Sequence, residues 1–114
     1  SLISRLRRGS VMSVETLKQK IDNHDDMLLL DVRSAEDFTG EQGHISQARN
    51  ITVEDLSSRL GELADYTEKT IAIICRTDKR STKAAQILGR NGFSDVHIVK
   101  GGMMLWNENN YPKQ

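Results

Sequence analysis

Three short apolar runs organise the chain: "MLLL" at 27–30, "TIAIIC" at 70–75 and "VHIV" at 96–99. Short continuous runs of this kind predict strands buried on both faces of a sheet. Between them the hydrophobic spacing becomes helical. Val14, Leu17 and Ile21 fall on one face behind Ser13, a predicted N-cap, and Thr16 occupies the position where a capping box prefers Glu. Thr52 predicts a cap for a helix over 53–63, with Leu56 and Leu60 four residues apart. Ala84, Ala85, Ile87 and Leu88 form a helical stripe over 81–91, stopped by Asn91-Gly92. Smaller features are strands near Val11–Met12 and Arg49–Ile51, a short helix after "VRS", and a turn at Gly101-Gly102. A last helix follows, with Met104 and Trp106 near the core.

Strands alternating with helical segments predict an α/β fold, a mostly parallel sheet with helices on both faces. In open sheets of this kind ligands bind beyond the carboxyl ends of the strands. Asp31 and Cys75 both stand at such ends.

A length of 114 residues fits one domain. The domain is expected over 12–112, and residues 1–11 read as a tail or linker. The basic stretch Arg5, Arg7 and Arg8 suits attachment to another domain or to a membrane protein. The amino-terminal segment lacks the apolar block of a signal peptide, and no apolar run approaches about 18 residues. Sixteen basic residues balance sixteen acidic ones, so no global field favours nucleic acid. Electrostatics that matter must be local. The single cysteine excludes an internal disulfide and a C-x-x-C pair. It fits a reducing compartment, hence a cytoplasmic location.

That cysteine sits where a buried strand gives way to the charged loop "RTDKR" and then to a helix. A tight loop there can turn its N–H groups inward as an anion-binding nest. The helix adds its own unsatisfied N–H groups and the positive end of its dipole. Arg76, Lys79 and Arg80 contribute positive charge against one Asp78. These surroundings favour thiolate over thiol and predict a nucleophile in an anion-holding cup. The plain alternative is a small buried hydrophobe at a strand end.

Four stretches together resemble the single-domain rhodanese family of sulfurtransferases: "LLLDVRSAEDF", "GHISQARNI", "IICRTDKRS" and "VHIVKGGMMLWNENNYP". They span roughly residues 12 to 112. The resemblance implies a five-stranded parallel sheet and a catalytic Cys75 that carries sulfur as a persulfide. It implies an active loop of Cys75, Arg76, Thr77, Asp78, Lys79 and Arg80. Six residues is the length used by sulfur-transferring members; related dual-specificity phosphatases have a longer loop. Ser46 and Gln47 depart from the family's usual Pro-Gly, and the segment between Phe38 and Gly43 is about two residues longer than the common form. Both lie away from the cysteine loop in sequence.

The implied reaction moves a sulfane sulfur from thiosulfate or another small anionic donor to a thiol, cyanide or a protein acceptor, without a metal or other cofactor. Arg76, Lys79 and Arg80 are expected to attract the donor, with Lys79 toward the entrance and Arg80 closing the loop. Asp78 either ties down the loop or reduces its charge, and Ser81 is expected to cap the helix. Asp31 is expected to be structural, and Arg33 to pair with Glu36 or Asp37. His44 is expected to pack and hydrogen-bond rather than move protons, and Trp106 and Tyr111 to anchor the last helix and tail. Competing readings are a docking or thiol-sensing module and, on the same fold, a small phosphatase or arsenate reductase.

Overall fold

The computed structural model describes residues 11–114, so the expected linker lies almost wholly outside the described residues. Five strands form one sheet: β1 (Val11–Met12), β2 (Met27–Asp31), β3 (Arg49–Asn50), β4 (Thr70–Ile74) and β5 (Val96–Val99). Their order is β1-β5-β4-β2-β3, and every neighbouring pair is parallel. The predicted five-stranded α/β sheet is therefore the observed one. The helices are α1 (Val14–Asp22), α2 (Ala35–Phe38), α3 (Val53–Leu56), α4 (Lys79–Arg90) and α5 (Gly102–Glu108), with a 3-10 segment over Leu60–Tyr66.

Side chains alternate across the central strands and divide the core in two. Leu28 and Leu30 of β2 and Ile71 and Ile73 of β4 face α3 and α4, meeting Leu56, Ala84, Ile87 and Leu88. Leu29 of β2 and Ala72 and Ile74 of β4 face the other way, against Val14, Leu17, Met103 and Trp106. Cys75 continues the Ile71–Ile73 face and so meets α4. Each fully buried Leu or Ile on these faces stabilises the fold by roughly 1.5–3 kcal/mol. Among the described residues no helix is long and apolar enough to cross a membrane.

Local chemistry sets the boundaries. Ser13 Oγ accepts the Thr16 N–H at 3.0 Å, the predicted cap of α1. Gly92, with φ +88, follows the end of α4 as predicted. The expected helix over 53–63 is instead split into α3 and the 3-10 segment. Ser58 Oγ donates to the Asp55 carbonyl at 2.9 Å, drawing off an acceptor that a continuing helix would use. Helix α4 begins at Lys79, two residues before the expected start at Ser81. In α5 the inward methionine is Met103, fully buried, whereas Met104 is 37% exposed.

Candidate active site

Cys75 follows the last residue of β4 and is 1% exposed. Its Sγ accepts the backbone N–H of Ser81, at 3.4 Å, from the first turn of α4. The Ser81 hydroxyl also lies 3.4 Å from Sγ and donates to the Asp78 carbonyl at 3.0 Å. Ser81 is thus a fully buried neighbour of the thiol inside the helix, not its cap. The cap residue is Asp78, whose side chain makes no capping bond. The N–H groups of residues 76 to 80 likewise have no acceptor among the described residues.

The loop is oriented from behind by the Gly101-Gly102 corner. The Met103 N–H donates to the Cys75 carbonyl at 2.9 Å, and the Met104 N–H to the Arg76 carbonyl at 3.1 Å. No described peptide bond is cis. In a trans peptide N–H and C=O point oppositely, so the Arg76 and Thr77 N–H groups are turned away from α5. The Gly101 N–H donates to Asp78 Oδ1 at 2.9 Å, so Asp78 ties the loop to that corner. Gly102 has φ +54, and a Cβ there would lie 2.3 Å from the Cys75 carbonyl oxygen. Sequence reading saw this Gly-Gly as a turn and missed that it seats the cysteine loop.

The cations divide into two groups. Arg76 and Lys79 are exposed, with no carboxylate partner among the described residues. Thr77 is exposed beside them. Arg80 is turned to Asp37, Nη1 to Oδ2 at 3.0 Å. That hydrogen bond, with the Arg80 charge and a bond from the Ser34 segment, outweighs desolvation and holds the Asp37 carboxyl below its ordinary 3.8. A carboxylate held low in the folded state stabilises fully at neutral pH and loses that contribution as the pH falls through the lowered value. Asp37 is half-exposed, so the pair contributes at most about 1 kcal/mol and is screened by salt. Asp37→Asn is expected to narrow the difference in urea midpoint between pH 7 and pH 3.

Asp31 and Arg33 form a second arrangement, at the carboxyl end of β2, the strand beside β4. Both are fully buried, and Arg33 Nη2 lies 2.7 Å from Asp31 Oδ2. The expected partner of Arg33, Glu36 or Asp37, is therefore corrected to Asp31. Nε and Nη2 are taken up by the buried Asp31 carboxylate, and the remaining Nη1 reaches the Asp37 backbone carbonyl, at 3.2 Å. Nη2 also donates to the Gly43 carbonyl at 2.8 Å. Asn50 Nδ2 donates to the carbonyls of Asp31 and Arg33, a brace that sequence reading missed. His44 Nδ1 lies 2.8 Å from the Phe38 carbonyl, and its ring stacks on Phe38 at 3.8 Å. Trp106 Nε1 donates to the Pro112 carbonyl at 2.9 Å. Among the described residues no group of three His, Cys, Asp or Glu could hold a metal ion.

The arrangement combines a buried thiol, a helix N-terminus and a run of N–H donors without acceptors among the described residues, a setting that can hold a negatively charged group. Comparison with known proteins identifies the family of the chain. The family model described as "Rhodanese-like domain" matches residues 13–109. Thiosulfate sulfurtransferase GlpE of Shewanella oneidensis is 34% identical over 82 residues, covering 72% of this chain and 77% of GlpE. The uncharacterized protein YqhL of Bacillus subtilis is 40% identical over 78 residues, covering 68% of this chain and 59% of YqhL. The crystal structure of the Alr3790 protein from Anabaena superposes with a TM-score of 0.81 at 25% identity, covering 90% of each chain.

Proposed function

Because the chain belongs to the rhodanese-like domain family, we propose that it is a sulfurtransferase in which Cys75 carries a sulfane sulfur as a persulfide. The observation that carries this reading is Cys75 Sγ at the N-terminus of α4, beside N–H groups from 76 to 80 that lack acceptors among the described residues. Free N–H donors around a nucleophile stabilise the charge that develops there. In the first step the Cys75 thiolate attacks the outer sulfur of a donor such as thiosulfate. The Sγ–S bond forms, the donor's S–S bond breaks, and sulfite leaves with its electron pair. In the second step an acceptor nucleophile attacks the outer sulfur of the persulfide. The new bond to the acceptor forms, and the electron pair of the Sγ–S bond returns to Cys75. The loop N–H groups hold the anionic terminal sulfur between the steps, and Arg76 and Lys79 draw the anionic donor to the mouth.

Ser81 supports both steps as a positioning residue. With a neutral thiol its hydroxyl serves the Asp78 carbonyl; with a thiolate the same hydroxyl can rotate to donate to Sγ. Ser81→Ala is expected to slow thiocyanate formation about tenfold, as fits one hydrogen bond to a charged group. Ser81→Thr, which keeps the hydroxyl, restores much of the rate.

The test of the reading is intact mass with sulfur transfer. The protein and its Cys75→Ser variant are incubated with thiosulfate and then with cyanide. An adduct of one sulfur atom on the parent only, discharged as thiocyanate, is the expected result. No adduct with thiosulfate or with any small persulfide would remove the transferase reading. Hydrolysis of an aryl phosphate by Cys75 in its place would favour a phosphatase.

A further inference from the structure

The cations around the cysteine loop extend beyond what a small dianion can touch. Arg76 and Lys79 belong to the loop and its first helical turn. Lys83 stands one turn further along α4, and Lys100 follows β5, the strand beside β4 in the sheet. All four are exposed and have no carboxylate partner among the described residues. Of the nearby carboxylates Asp37 is paired with Arg80, and Asp78, held by the Gly101 N–H, offsets only one of the four charges. Glu36, Glu54 and Asp55 stand on α2 and α3, which follow β2 and β3, the strands on the other side of β4. The chain is neutral as a whole, yet its active rim is positive on the β4–β5 side.

Met104 adds an apolar contact to that side. It is 37% exposed, and its N–H is bonded to the Arg76 carbonyl, which places it against the loop. An exposed methionine does nothing for a hydrated dianion but suits an adaptable protein contact. We propose that the sulfur acceptor at this site is a cysteine thiol on an acidic protein surface. The partner's carboxylates face Lys83 and Lys100, and an apolar side chain of the partner covers Met104. This rests on the persulfide reading of Cys75. The partner's thiolate attacks the terminal sulfur, its S–S bond forms, the Sγ–S bond breaks, and the electron pair returns to Cys75. One anion enters and one leaves, with no oxidant or reductant. Opposite charge at the rim speeds encounter and selects the partner.

The experiment uses protein preloaded from thiosulfate and three cysteine peptides with acidic, neutral or basic flanks. Sulfur transfer is followed by peptide mass, and discharge to cyanide is measured in parallel. Transfer to the acidic peptide is expected to be at least about tenfold faster than to the basic one at low salt, with the gap closing as salt rises. The double variant Lys83→Glu, Lys100→Glu is expected to lose about tenfold with the acidic peptide and to discharge to cyanide at the parent rate. Normal cyanide discharge with equal rates for the three peptides, or no effect of the double variant, overturns this inference alone. Failure of the parent to load or discharge sulfur overturns the persulfide reading and this inference with it.

Discussion

Arg33→Met is expected to destabilise the fold by about 3–5 kcal/mol, because it leaves the Asp31 carboxylate buried without its countercharge. Asp31 accepts from the Arg33 backbone N–H, Nε and Nη2, and neither side chain reaches solvent. A methionine preserves much of the apolar volume, so the measured loss reports the stranded charge rather than a cavity. Urea unfolding at pH 7 gives the value. The double variant Asp31→Leu, Arg33→Met is expected to recover much of it, since removing both charges also removes the unpaired one. Equal stability of the single and double variants would mean that the pair does not act as a unit. The single variant should also slow sulfur transfer, because Arg33 fixes the Asp37 and Gly43 carbonyls and Asp37 in turn holds Arg80.

The second large effect is expected from Gly102→Ala. The new Cβ would lie 2.3 Å from the Cys75 carbonyl oxygen and 2.7 Å from those of Arg76 and Thr77. All three are backbone atoms, and two are already held by the Met103 and Met104 N–H groups. The loop cannot yield without losing those bonds. A shift of about 1 Å in a catalytic group can cost about a hundredfold in rate, and a loss of that order in thiocyanate formation is expected. Gly92→Ala is the control. Its φ is also positive, at +88, but a Cβ there meets nothing within 4 Å. It should show only the left-handed backbone cost of about 1–2 kcal/mol and keep full activity. If the two alanine variants behave alike, the Gly102 corner does not position the loop.

Much of the fold was legible because its signals are local. The runs around Leu28–Leu30 and Ile71–Ile74 are too apolar for anything but a doubly covered strand. Ser13, Asn91 and Gly92 mark helix ends by their own chemistry. The place of Cys75 at the end of β4 and before a helix was legible for the same reason, although that helix begins at Lys79 rather than Ser81. What sequence reading missed depends on contacts between distant segments. Nothing in "GGMML" announces that its N–H groups bond the carbonyls of Cys75 and Arg76. The Arg33 partner was sought among exposed acids three and four residues away, the helical spacing, whereas the chain leaves β2 extended and brings the i−2 carboxylate into reach. The split after Leu56 was hidden because Leu60 keeps helical spacing while Ser58 competes for the backbone.

The corner at 101–104 also bears on when the cysteine loop can be held during synthesis. A nascent chain that has emerged as far as Lys100 has released Cys75 and all of α4, but not the N–H groups that anchor the Cys75 and Arg76 carbonyls. The cysteine therefore emerges well before its loop can be locked. Until the segment after β5 has emerged, no backbone N–H among the described residues holds the Cys75 and Arg76 carbonyls.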